Sequence, residues 1–353
     1  VKAICDKRAL YEALDKARLC LSKSLPILSC FRVDAHRGSL CFTATNLEQT
    51  IETWCEAEVE GYDKSFCVLG EKFSSIVKEL PEDKVELSLG KTFHIKSGKA
   101  RFSLATMDVE EFPEVNIPEF KDKIDLVNFV YCLEKVSFCT AQKYGREVLR
   151  SVLVGKHIVA TDGKRLAYMP CIWEEKDIIV PSDFVALLRK VVEDLEGEYA
   201  VDESRFAVRL NDAVVMTQLV DGRFPDWKGV LPKKDELDKV YVINRETFIK
   251  AIKRVSLMSE KETRIVRLKF GGGKLTLCSF SADGQGEEEI EVEGDAELEI
   301  GFNAVYLLEG LRACEGEEVK MICKDSVSPT LFEQKDNAEW GYILMPVQLR
   351  EES

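Results

Sequence analysis

The run D-L-V-N-F-V-Y-C-L-E-K-V, residues 125–136, places Phe129, Cys132, Leu133 and Val136 at i, i+3, i+4 and i+7. That spacing is one buried face of an amphipathic helix. Asp125 stands four residues ahead of the face, where an N-cap belongs. The arrangement recurs at an interval of 119 residues, from Asp6 to Asp125 and from Asp125 to Asn244. Asp6 is followed by Leu10, Ala13, Leu14 and Ala17, and Asn244 by Phe248, Ala251, Ile252 and Val255. One amphipathic helix is a weak signal; three with the same cap and phase define a threefold repeat.

A second helix recurs as well. It is expected over 71–80 with Phe73, Ile76, Val77 and Leu80 inward, over 182–195 with Phe184, Leu187, Leu188 and Val191, and over 303–313 with Ala304, Leu307, Leu308 and Leu311. Between the helices lie β-branched and aromatic runs such as 40–45, 157–161 and 274–278, ending in the comparable turns Thr45-Asn46-Leu47, Thr161-Asp162-Gly163 and Ala282-Asp283-Gly284. Each third therefore reads as an α+β domain, two helices packed on antiparallel sheet. The expected domains are 1–118, 119–234 and 235–353, joined by short polar links near 117–123 and 233–239. The acidic run 287–299 alternates with Ile and Val, as an edge strand would.

The chain has 353 residues, 45% hydrophobic and 32% charged, with a formal net charge of −14. That balance argues against a generally adhesive nucleic-acid binder and leaves room for one local basic surface. No apolar run approaches the ~18 residues of a membrane span, and Val1-Lys2-Ala3-Ile4-Cys5 does not open a signal peptide. Twelve Cys without a C-x-x-C pair, many on apolar faces, point to core thiols in a reducing cytoplasm.

Lys16, Lys135 and Arg254 occupy one repeat position on the first helices, with Lys23, Lys143 and Arg146 nearby. Two readings stand: a solvated helix face, or helices presenting cations to a polyanion through salt-dependent, sequence-independent phosphate contacts. No catalytic constellation emerges. Gly163-Lys164-Arg165 lacks the glycine spacing and the Ser/Thr of a phosphate loop. His36, His94 and His157 have no repeated carboxylate partner. No metal, cofactor or enzymatic activity is expected.

The residues resemble those of the bacterial DNA polymerase III β subunit family, the sliding clamps, along essentially the whole chain. The motifs that carry the resemblance are Ser24-Leu25-Pro26-Ile27-Leu28, the run from Ala160 through Asp162-Gly163-Lys164-Arg165 to Ala167, and Val220-Asp221-Gly222-Arg223-Phe224-Pro225-Asp226. Gly301-Phe302-Asn303, Asp325-Ser326-Val327-Ser328 and the stretch from Tyr342 to Leu349 add to them. The resemblance implies a homodimeric head-to-tail ring around duplex DNA, a non-catalytic processivity factor. A clamp-like scaffold not loaded on DNA is the competing reading. The resemblance further implies a subunit contact of Phe102 and Leu104 against Leu257 and Met258.

It also implies a groove for short linear peptides of the polymerase catalytic subunit, the clamp loader and repair proteins. The matched positions are Leu149, Thr161, Gly163, Lys164, Arg165, Leu166, Pro225, Val230, Val327, Ile343, Met345, Pro346, Val347 and Leu349. Lys164 stands where the family often has His, and Gly229 and Gln348 where it has Arg. Residues 350–353 run past the usual end.

Overall fold

The computed structural model describes residues 1–142, 145–193, 195–233, 238–335 and 339–349. Six α-helices are present among them: α1 (Lys7–Ala17), α2 (Gly70–Lys78), α3 (Leu126–Ser137), α4 (Ser182–Val191), α5 (Arg245–Val255) and α6 (Ala304–Ala313). The cap pattern holds in all three first helices. The Asp6 carboxylate accepts from the Ala9 N–H at 2.9 Å, that of Asp125 from Asn128 at 2.9 Å, and the Asn244 amide oxygen from Thr247 at 3.0 Å. Each satisfies a backbone donor that the helix leaves orphaned. All twelve residues of the three faces are buried.

The second helices depart from expectation at their ends. α4 stops at Val191, four residues short, because the Leu195 carbonyl accepts from the Leu126 N–H at 3.1 Å and the following strand Glu196–Val201 pairs with Asp122–Asp125. Leu195 is thus outside the helix, and its side chain is exposed. α2 spans Gly70–Lys78, with Ile76 only half-buried and Leu80 buried beyond the helix end.

The described residues form two compact units, 1–130 with 183–219, and 131–182 with 220–353. In the first unit a 13-stranded antiparallel sheet carries α1 and α2. Phe73 of α2 meets Phe93 edge-on at 5.1 Å and Phe42 at 6.2 Å. The strand Gln49–Glu60 pairs there with Ala213–Gln218, so one sheet runs from the first third of the sequence into the second. In the second unit an eight-stranded and a four-stranded sheet support α5 and α6. There the strand Arg165–Pro170 pairs with Gly341–Leu344, so the sheet runs from the second third into the last. This continuity is why compact units and repeats do not share boundaries.

Among the strands that end their sheets are Ala100–Leu104 in the first unit and Gly284–Glu291 in the second. The latter covers the start of the acidic run. The twelve cysteines are free thiols, nine of them buried. Burial pushes the Cys20 and Cys323 thiols up to about 12, far from a reactive thiolate. Among the described residues no helix is long and apolar enough to cross a membrane.

Candidate functional site: an apolar groove and the junction cations

The turn at residues 161–165 organises the groove. Thr161 Oγ1 donates to the Arg165 carbonyl at 2.7 Å and accepts from the Gly163 N–H at 3.1 Å. Asp162 Oδ1 accepts from the Lys164 and Arg165 N–H groups. Gly163 lies at φ +88°, the left-handed region where glycine avoids a Cβ clash. The same turn recurs at 45–49, where Thr45 and Asn46 make the corresponding bonds and Leu47 takes φ +80°. The repeat thus extends to individual hydrogen bonds.

From that turn the strand Arg165–Pro170 sets Leu166 opposite Ile343. These two join Val148, Phe224 and Trp227 in a buried cluster, with Leu149 partly buried against it. Around this floor Pro225 is half-buried, while Val230, Val327 and Met345 are 52%, 66% and 41% exposed. The Met345 N–H donates to the Lys164 carbonyl at 3.0 Å. Val347 and Leu349 lie instead against the strand Leu298–Asn303. The Val347 N–H reaches the Gly301 carbonyl at 2.8 Å, and a Cβ at Gly301 would stand 2.6 Å from Leu349 Cδ2. The result is a buried apolar floor edged by exposed apolar side chains.

Arg165, one of the matched groove positions, is held from within. Its side chain is 4% exposed, with Nε 3.0 Å from Asp162 Oδ2 and the guanidinium bonded to Glu309. The guanidinium carbon sits 4.2 Å from the Tyr306 ring centroid and 5.8 Å from that of Phe138. Burial is the largest influence and disfavours its charge, but the hydrogen bond to Glu309 and the fields of Cys139, Tyr342 and Glu309 together raise its pKa. Arg165 is an internal brace, and Thr161 is likewise buried. Periodicity gives no sign of Tyr306 or Glu309, since α6 aims them at a turn more than 140 residues away.

The repeated cations also differ from a solvated phosphate-binding row. Lys16 Nζ lies 2.7 Å from Asp212 and 4.0 Å from Glu193, with its side chain 17% exposed. Lys135 Nζ lies 2.6 Å from both the Ala313 carbonyl and Glu315, with its side chain 11% exposed. Hydrogen bonding from Lys135 holds Glu315 below the usual carboxylate value; burial opposes this and the Tyr131 hydroxyl, 2.9 Å away, reinforces it. Burial and that same bond push Tyr131 up to about 12. Arg254 is 58% exposed and paired with Glu288. Lys23 and Arg146 are exposed, and Lys143 lies outside the described residues. Phe102 is 41%, Leu257 81% and Met258 40% exposed, while Leu104 is half-buried. Among the described residues no group of three His, Cys, Asp or Glu side chains is placed to hold a metal ion.

Three like α+β domains linked by through-running sheets define a clamp-type protein. The family models for the DNA polymerase III beta subunit match in order: the N-terminal domain over residues 1–117, the central domain over 123–226 and the C-terminal domain over 228–348. The chain belongs to the DNA polymerase III beta subunit family. It is 30% identical over 345 residues to the beta sliding clamp of Pseudomonas putida, covering 93% of this chain and 94% of that one. It is 29% identical over 352 residues to that of Chlamydia pneumoniae, covering 93% of each. The crystal structure of the DNA polymerase III subunit beta from Pseudomonas aeruginosa superposes with a TM-score of 0.94 at 27% identity, over 99% of this chain and all of that one.

Proposed function

We propose that two copies of this chain close head to tail into a sliding clamp. The ring encircles duplex DNA and tethers the replicative polymerase, the clamp loader and repair proteins through short peptides. The observation that carries this is a sheet junction made twice within the chain and left open once. The strands after the repeated turns, Gln49–Glu60 and Arg165–Pro170, pair with Ala213–Gln218 and Gly341–Leu344, the last strands of the next repeat. The third strand of the first kind is Gly284–Glu291, and the remaining strand of the second kind is Ala100–Leu104; both are edges.

Their charges are complementary: Glu287, Glu288, Glu289 and Glu291 on one, and Lys96, Lys99 and Arg101 on or beside the other. Exposed Phe102, Leu257 and Met258 would gain burial there, with Leu104 beside them. A head-to-tail contact that closes makes a ring rather than a filament. The domains are taken as 1–118, 119–234 and 235–353. The protein works by holding: tethering raises the polymerase's effective concentration at its template and needs no reaction centre. Among the described residues, Lys23 and Arg146 are exposed members of the DNA-facing set, and Arg254 is exposed but paired with Glu288. Lys16 and Lys135 serve that set only through long-range field, because their ammonium groups are engaged. Free thiols throughout suit a reducing cytoplasm.

The test is retention on DNA. Clamp loaded onto closed circular duplex should stay bound through gel filtration and be released when the circle is linearised. Equal loss from both forms would favour a scaffold not threaded on DNA. For the groove, Met345→Ala with Pro346→Ala should abolish binding of a polymerase-derived peptide with the dimer intact; unchanged affinity would remove the assignment.

A further inference from the structure

We infer that Arg254 of one chain and Glu82 of a second copy form the third member of a repeated ion pair that locks each junction between domains. The inference rests on the ring reading above.

Two members are visible within the chain. Lys16, on the first helix of the first repeat, reaches Asp212 and Glu193 of the second. Lys135, at the same position in the second repeat, reaches Glu315 of the third. The acids Glu193 and Glu315 are register-matched. The helix caps Asp6, Asp125 and Asn244 pair across the sheet with Lys84, Glu196 and Glu318. Glu193 and Glu315 each fall three residues before that partner. In the first repeat the matched position is Pro81, and the acid follows it at Glu82.

The third cation and the first-repeat acid are therefore left over, and each lies beside one of the two open edges. Arg254 bonds Glu288 within the acidic edge strand Gly284–Glu291. The Glu82 N–H donates to Ser97 Oγ at 3.2 Å, and its carboxylate stands over Gly98, in the hairpin that opens the edge strand Ala100–Leu104. Glu82 is exposed and has no ion-pair partner among the described residues. Pairing these two edges carries Arg254 toward Glu82, as the in-chain junctions carry Lys16 toward Glu193 and Lys135 toward Glu315. An arginine, with its forked donors, can keep Glu288 and bind a second carboxylate.

The experiment is charge reversal read by sedimentation. The unmodified chain should form a dimer; a strict monomer would remove the ring reading itself. Given a dimer, Arg254→Glu and Glu82→Arg should each raise its Kd about tenfold at low salt, the sum of two screened pairs turned repulsive. The effect should shrink in about 0.5 M salt. The double variant should recover most of the affinity. Mixing the two single variants with different tags should give heterodimers in excess over homodimers, because both junctions of the mixed ring are then complementary. Glu288→Gln separates loss of the in-chain pair from loss of the junction. Single reversals that leave the dimer Kd unchanged, or a mixture with no heterodimer excess, would overturn the proposal. Both side chains are exposed, so unaltered circular dichroism is expected of every variant.

Discussion

At the scale of single residues, charge on this chain divides into internal braces and surface groups, and the two respond differently to change. Arg165 is fully enclosed, so Arg165→Met should lower the unfolding free energy by about 3 kcal/mol, because Asp162 and Glu309 lose a buried partner. A role limited to gripping a peptide would instead lower peptide affinity and leave urea unfolding unmoved. Glu315 supplies a pH dependence of defined sign. Its folded pKa lies below the ordinary glutamate value of 4.5. Its contribution is therefore complete above 4.5 and is lost as pH falls through the folded value. The group is half-exposed and solvent screens the pair, so the loss should be under about 1 kcal/mol. Glu315→Gln should remove that acid limb, which denaturation midpoints between about pH 6 and pH 3 would show. The acid partners of Lys16 and Lys135 are remote in sequence, which is why periodicity locates the cations and not their engagement.

At the scale of the element, the three first helices are one design used three times. Each carries a short polar cap, four inward apolar residues and a cation two positions after the third of them. Asp6→Ala, Asp125→Ala and Asn244→Ala should each cost about 1 kcal/mol. Amide exchange should rise in the first turn of α1, α3 or α5 respectively and stay unchanged in the other two helices. Equal effects at three sites would mark the cap as a local device; protection lost across a whole sheet would mean the cap had a tertiary role. The second helices show where local reading ends. Nothing between Val191 and Leu195 forbids further helical turns, yet α4 stops because strand Glu196–Val201 takes up the following backbone. The groove divides in the same way. Its turn chemistry at 161–165 is readable from Thr-Asp-Gly, whereas the pairing of Leu166 with Ile343 depends on two strands nearly 180 residues apart.

At the scale of the whole molecule, the sheets decide where stability and assembly reside. Hydrogen bonding passes through both repeat boundaries, so the thirds are not independent beads. The open edges are then the natural place for a partner copy. Leu257→Asp or Phe102→Asp should shift the protein to the 40.0 kDa monomer in sedimentation at micromolar concentration, because either variant places a charge where apolar surface would be buried. Each unit should still melt cooperatively, since both side chains are exposed in the single chain. Monomeric variants should also lose retention on circular DNA while keeping peptide affinity, as all matched groove residues lie in one unit.

The threefold repeat, the helix faces and caps, the α+β character of each domain and the family are legible in the order of the amino acids. These are local properties, set by the 3.6-residue period, by short-range capping and by runs of recognisable motif. Folding alone reveals that Arg165, Lys16 and Lys135 are held by acids, that the sheets run through the repeat boundaries, and that two strands of opposite charge each keep one open edge. These facts depend on which distant segments meet, and burial and strand register set that only once the chain has folded.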